Sequence, residues 1–541
     1  MAEKTVQIMS ETTQQIAKGR VRPLQFYIAL IKKITLHWDI VVLVLLMLIY
    51  IITLATLSIL RHDAFASYYD LANMDSTLWN TLHGNFFTLR IADNYISRLS
   101  IHGDLILALL SPIYFIWDNV RTLLIVQAAL LGLGAVPAYF LARNILKDKI
   151  VSLTIVALYL INPAMQWANI DDFHGVTLVI PFLLFVFYFA YVKKWLWFTV
   201  FVILALLTKE EISLDIMMFG IAMFFVFRER IKGLITSIVG LTWFYAMVNW
   251  LIPHFGQTST DWAWGRYGTL VNAGGKVLFP KVGLQTIQAF FSADAIAYYN
   301  GLLKPFGYTP LLGFPWLILS LPEIAINVLS NNKAQETITY HYVSAIIPVL
   351  VIAMIFGLRY LFSFLQRFSL LREYQKYIIY GLCLVLLLVA LRTNYHYSPL
   401  PTTPSCWCQV YNVTNEDKAF ERVLQAIPKD ASITASIEIR PHVNHRKNVW
   451  FIPYATSSAQ FIALITQNRI VGNYEPKVYE NQLIPILLAS KNHELVFRSE
   501  HFYLFKRRDS NKKLPTRNFL FLNNREERGG VTYTIGLKSG I

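Results

Sequence analysis

Residues 39–60 read DIVVLVLLMLIYIITLATLSIL, and this run decides what kind of protein the chain is. It is roughly 20 nearly uninterrupted apolar side chains, the length a helix needs to cross about 30 Å of hydrocarbon. No small-residue cleavage site follows, so it reads as a retained first span rather than a signal peptide. Lys4, Lys18, Arg20, Arg22, Lys32 and Lys33 precede it, against Glu3 and Glu11. That bias predicts a cytoplasmic N-terminal segment, residues 1–38.

Composition agrees. Of 541 residues, 55% are hydrophobic and 15% charged, with mean hydropathy +0.44. A soluble chain of this length needs more surface charge. The net charge of +15 belongs to the ends of membrane helices, where it meets anionic lipid, and calls for no nucleic-acid partner. About eleven spans are expected, near 39–60, 121–142, 150–163, 176–192, 195–208, 212–228, 233–252, 299–313, 314–329, 341–362 and 376–392, with 299–329 open to being two spans or one long span kinked at its prolines. The basic loops RNILKDK (143–149), VKK (192–194), RERIK (228–232) and 359–376 then share the N-terminal side. DLILALLSPIYFIW (104–117) is too short to span and is expected to lie on the outer face as an interfacial helix.

The fold class is therefore an all-α polytopic membrane domain, residues 39–392, followed by a small extracytoplasmic domain, residues 393–541. That second domain reads as α/β: a helix over 416–428, strands at 431–436 and 448–454, a helix over 475–489 and a hairpin over 494–507, then a basic tail. Cys406 and Cys408 form a CxC pair just beyond the last span, too short a motif to assign to a disulfide or a metal and most simply structural.

Polar residues at span ends carry the functional signal. YYDLANMDSTLWNTLHGNFF (68–87) supplies Asp70 and Asp75, five positions apart and so about 140° apart on a helix. One can face a cavity while the other anchors. Met74, Leu78 and Leu82 recur at four-residue spacing, which predicts an amphipathic helix at the interface over 73–84. RLSIHGDL (98–105) adds Arg98, His102 and Asp104; NIDDFHG (169–175) adds Asp171, Asp172 and His174. LLTKEEISLD (206–215) adds Lys209, Glu210 and Glu211, each costing about 3 kcal/mol if it faced lipid at mid-membrane, so they belong at an interface or in a wet cavity. TITYHY (337–342) adds His341. Taken singly, an Asp at a helix end is usually a cap and a Trp or His an anchor. Five such clusters on one side, opposite loops that are almost purely basic, point to an outward polar cavity.

In order along residues 40–360, YYDLANMDSTLWNTLHG, HGDLILALLSPIY, LINPAMQWANIDDFH, LLTKEEISL, LIPHF, SLPEIAINVLS and YHY resemble the DUF2079 family of polytopic membrane proteins. Ala72 stands where the family usually has Gly, and Gly175-Val176 where it often has an acidic residue. The layout is in turn similar to GT-C glycosyltransferases that use polyprenyl-phosphate sugars: a first span, a long outer loop with an early acidic residue, interfacial helices, then VQAALLGLGAVPAYFLARNIL (126–146).

The resemblance implies a sugar moved from a polyprenyl-phosphate donor to an extracytoplasmic acceptor (cell-envelope glycan, lipid or protein) in a prokaryotic plasma membrane. Asp70 would be the catalytic base. Asp75, Arg98, His102, Asp172, His174, Lys209, Glu210, Arg266 and His341 would bind substrate. Asp70, Asp172 and His174 would hold a divalent cation, Mn or Mg, if one takes part. Membrane lipids and the lipid-linked sugar are the expected partners. The same cavity also suits a lipid or solute transporter, and the outer domain suits a non-catalytic envelope scaffold.

Overall fold

The computed structural model of the chain describes residues 37–90, 94–256, 279–469 and 475–508. Nearly all of the N-terminal segment, Arg266 and the basic tail lie outside the described residues.

Six described helices are long and apolar enough to cross a membrane: Trp38–Asp63, Arg121–Leu146, Arg230–Phe255, Thr309–Val328, Ile346–Leu365 and Leu371–Tyr397. Lys149–Leu160 and Pro163–Ile170, bent by 44°, make a seventh if they are one broken span. Asn162 caps the second piece by accepting from Ala164 N at 2.9 Å, and Pro163 takes its first position. The expected count of eleven is not confirmed among the described residues, for reasons of length. Trp195–Leu206 and Ile212–Phe225 have 12 and 14 residues. At 1.5 Å per residue they reach about 18–21 Å, short of the 30 Å core. Residues 299–313 and 314–329 do not cross separately. Thr309–Val328 is one run, broken into α and 3-10 pieces that carry Pro310, Pro315 and Pro322.

Arg230–Ala246 lies tightly against Ile212–Phe225. A Cβ on Gly233 would stand 2.6 Å from Phe224 N, and one on Gly240 2.5 Å from Ser213 O. Small residues let helix backbones approach this closely where hydrophobic burial alone drives no association. The short helix Ile106–Leu110 and 3-10 turn Ser111–Phe115 end with Phe115, Ile116 and Trp117 exposed. That is how an interfacial segment meets lipid.

A two-stranded hairpin, β1 (Thr88–Arg90) and β2 (Tyr95–Ser97), follows the helix Tyr69–Leu82. The C-terminal domain is a five-stranded sheet of β3 (Ile433–Ala435), β4 (Val449–Phe451), β5 (Phe461–Ile465), β6 (His493–Arg498) and β7 (Phe502–Arg507). The order is β4-β3-β5-β7-β6, with β3, β4 and β5 parallel and β7 antiparallel to both neighbours. Helix Asn415–Ala426 opens with a capping box between Thr414 and Asp417. It lays Phe420, Val423 and Leu424 on the sheet. Cys406 and Cys408 are joined by a disulfide. Phe65, just past the first membrane helix, is fully buried in this domain's core, stacked on His442 and tilted against Phe502. The first span is thus pinned to the sheet by its own sequence continuation.

Helix Tyr69–Leu82 does not lie open at an interface as its pattern predicts. Leu71, Met74 and Leu78 are buried, and so are Asn73, Asp75, Ser76, Thr77 and Asn80. The polar face is covered by the C-terminal domain, whose Asn444 Nδ2 donates to Asp75 Oδ2 at 2.8 Å. A buried polar face is tolerable because its groups find such partners.

Candidate functional site

Asp70 sits in the first turn of Tyr69–Leu82, where a helix N-terminus favours negative charge. Its side chain is 41% exposed. Oδ2 lies 3.3 Å from Nε2 of His174, whose own side chain is buried. The His174 ring stacks on His341 at 3.7 Å, and His341 Nδ1 lies 3.2 Å from Asp171 Oδ2. Three loops distant in sequence thus meet at one end of the helix bundle.

Gln127 builds the middle loop. This buried amide on Arg121–Leu146 donates to Asn169 O at 2.9 Å and Asp172 O at 2.7 Å. Its Oε1 accepts from His174 N and Thr177 Oγ1, both at 2.9 Å. One side chain so holds both ends of the turn that presents Asp171 and His174. Asp172 has φ +59°, a left-handed conformation that an Asp tolerates better than most residues. Its carboxylate takes Arg61 Nη1 at 2.5 Å and Tyr68 N at 2.6 Å. Asp172 therefore ties the end of the first span to the loop.

The electrostatics follow from burial and neighbours. Burial works against charge on Asp70, but the His174 hydrogen bond and the charges of His174, His341 and Arg98 outweigh it and hold the carboxyl below its usual range. Burial also opposes charge on His174; its bond to Asp70 and the charges of Asp70, Asp171 and Asp172 prevail and raise it. His341 goes the other way, well down, because it is partly shielded from water and stands beside His174 and near Lys209 and His102. Asp171, partly buried, is pushed up to about 6 by loss of water around its carboxylate. The stacked imidazoles are split into a cation-favouring and a neutral member, as two adjacent like charges require.

The remaining expected residues stand around this group. Arg98 makes a bidentate pair with Asp104, Nε to Oδ1 at 3.1 Å and Nη2 to Oδ2 at 2.7 Å. Glu210 bridges the 102–103 turn, taking His102 Nδ1 at 2.8 Å and Gly103 N at 2.9 Å. Lys209 pairs with Glu211 at 2.5 Å. The charge of Arg98 reaches Asp70, and those of Lys209 and His102 reach His341. Asp75 is turned away. It is fully buried and bound by Tyr114 Oη at 2.5 Å, Asn444 and His445 Nε2 at 2.8 Å.

The expected metal donors do not assemble as a set, because Asp172 is taken by Arg61. The donor atoms that do lie together, all within 4.8 Å, belong to Asp171, His174 and His341. Sequence reasoning left Asp171 out of the site although it sits in the same DDFH element. It gave no role to Gln127, whose signal is only an amide in an otherwise apolar span.

Residues 61–493 match a protein family described as predicted membrane protein (DUF2079). No curated protein matches the sequence. Among solved structures, the crystal structure of ArnT from Cupriavidus metallidurans bound to undecaprenyl phosphate aligns with a TM-score of 0.49 and 11% identity, over 87% of this chain and 98% of that one. With the family match running from the end of the first span into the C-terminal sheet, the chain belongs to the DUF2079 membrane-protein family.

Proposed function

We propose that this protein is a GT-C-type membrane glycosyltransferase that moves a sugar from a polyprenyl-phosphate donor to an acceptor at the outer face of the plasma membrane. The observation that carries the reading is Asp70: an accessible carboxylate at the end of a membrane helix bundle, backed by the buried His174 and within reach of the Arg98 charge. In the step, an acceptor hydroxyl oxygen attacks the anomeric carbon as its proton passes to Asp70. The bond from that carbon to the phosphate oxygen breaks, its electrons leave with polyprenyl phosphate, and the anomeric centre inverts. Arg98, His102 and Lys209 stabilise the departing phosphate charge. Asp70 enters the step ionised and only weakly basic. That suffices where the hydroxyl proton acidifies as the new C–O bond forms.

A divalent cation fits the neighbouring donors. His174 Nδ1 is buried without a hydrogen-bond partner, and two imidazoles with one carboxylate suit Mn better than the all-oxygen habit of Mg. Asp171, His174 and His341 would hold it. It would supply positive charge beside Asp70, and Asp70 would orient the His174 ring from behind.

A cation-coupled transporter is the second reading, favoured by Asp215, buried with neither carboxylate oxygen hydrogen-bonded, and by Glu323, buried with its Oε2 likewise unpaired. The first experiment is mass spectrometry of lipids copurifying with wild type and Asp70→Asn. A polyprenyl-phosphate sugar enriched on the variant supports transfer stalled after donor binding. No such lipid on either protein removes the transferase reading in favour of transport.

A further inference from the structure

Two guanidinium groups, Arg440 buried and Arg90 partly buried, stand where the hairpin and the C-terminal sheet meet, and neither has a carboxylate partner among the described residues. Arg440, fully buried, follows β3 and lies 4.0 Å above the ring of Phe451 on β4. Its Nη2 donates to the Arg90 carbonyl at 3.3 Å. Arg90, the last residue of β1, is stacked between Tyr95 at 4.3 Å and Trp450 at 4.5 Å. Tyr95 in turn donates to Lys447 O, which fixes the hairpin against the sheet.

The two guanidinium groups and the indole between them leave several hydrogen bonds unmet. Arg440 Nε and Nη1, Arg90 Nε and Nη1, and Trp450 Nε1 are five buried N–H donors with no acceptor. Aromatic faces stabilise the two cations through their π clouds, but they leave the in-plane N–H groups unsatisfied. Burial works against the charge of Arg440, and Arg90 adds repulsion. Asp75, whose charge acts on Arg440, is already bound by Tyr114, Asn444 and His445. A buried cation beside a second cation is strongly unfavourable unless an anion completes the pair. The place is also the carboxyl end of parallel strands β3 and β4, where open α/β sheets take ligands. Arg90, Tyr95 and Trp450 are only partly buried, so the group is reachable from solvent.

We infer that Arg90, Arg440 and Trp450 form a binding site for a phosphate-bearing ligand between the C-terminal sheet and the hairpin that follows the Asp70 helix. Guanidinium forks match phosphate oxygens, and a phosphate accepts from several directions while donating nothing. The site stands whether or not Asp70 transfers sugar.

The test is thermal unfolding and calorimetric titration of the full-length protein with inorganic phosphate, against chloride at equal ionic strength, in detergent freed of phospholipid and in nanodiscs containing phosphatidylglycerol. Phosphate is expected to bind saturably and raise Tm, and Arg90→Gln and Arg440→Gln are each expected to weaken binding at least about tenfold. Arg90→Gln, on the less buried residue, decides the matter if Arg440→Gln does not fold. A response in detergent alone identifies the ligand as a lipid headgroup; a response in both media identifies a soluble phosphate compound. The inference is overturned if phosphate does no more than chloride, or if Arg90→Gln binds it as wild type does. Asp70→Asn is expected to keep the phosphate response, which separates this result from the fate of the transferase reading.

Discussion

Asp70 and His174, 104 positions apart, meet through Oδ2 and Nε2 at 3.3 Å, the carboxylate open to solvent and the imidazole buried behind it. Asp70→Asn keeps the shape, removes the charge and weakens the His174 contact. Transfer activity is expected to fall about 10²–10⁴-fold. Thermal stability is expected to change little, because the side chain is substantially exposed. An assay of sugar transfer from lipid-linked donor, run beside a melting curve, checks both. Wild-type activity in this variant removes Asp70 from the mechanism.

Asp172, one position from Asp171, is expected to behave in the opposite way. Its pair with Arg61 is buried on both sides, and Asp172→Ala leaves a buried guanidinium without its carboxylate. Breaking such a pair costs about 3–5 kcal/mol. The variant should express poorly or unfold early, with no selective loss of catalysis in whatever folds. A well-folded, inactive Asp172→Ala would place this carboxylate in the chemistry instead.

His445 links the C-terminal domain to the membrane domain between two carboxylates, Asp75 Oδ1 at 2.8 Å and Asp118 Oδ1 at 2.7 Å. Burial opposes its charge, but Asp75 and Asp118 raise it to about 9. A folded value above the unfolded one, about 6.5, means the stabilisation is full below pH 6.5 and is lost as pH rises through about 9. The contribution is on the order of 3 kcal/mol. Melting temperature is expected to decline between pH 6.5 and 9 in wild type, and His445→Gln should flatten that decline. An unchanged slope in the variant would show that other groups set it.

Mn binding provides a direct check on the donor set. Titration of the metal-stripped protein, followed by electron paramagnetic resonance, is expected to show a site lost in His341→Ala and Asp171→Ala. Asp70→Asn is expected to weaken it about 10–100-fold, as loss of an outer carboxylate does. Equal Mn affinity in wild type and His341→Ala would remove these residues as ligands.

The distribution of apolar residues and basic loops already specified a helical membrane domain and an α/β C-terminal domain. The helix expected over 416–428 and the hairpin expected over 494–507 correspond closely to Asn415–Ala426 and to β6–β7. Strand β5 escaped, because FIALI is apolar at every position and all five residues are buried. A central strand has no polar face and so no period to read. The number of spans escaped for a related reason: hydropathy shows that Trp195–Leu206 and Ile212–Phe225 are apolar, while their ends depend on how the chain turns at 207–211. The divergence of Asp70 and Asp75 followed from helical spacing alone.

What the sequence by itself determined is therefore chemical type: which segments suit hydrocarbon, and which polar residues had to find water or partners. What only the tertiary structure decided is which partner each one found. Asp70 reached His174 and stayed accessible, Asp172 closed on Arg61, and Asp75 was covered by Asn444 and His445. In sequence these carboxylates look alike, since each lies in a polar stretch beside aromatics. Their roles separate because burial and ion pairing depend on elements more than a hundred positions away. No local pattern encodes the packing that brings those elements together.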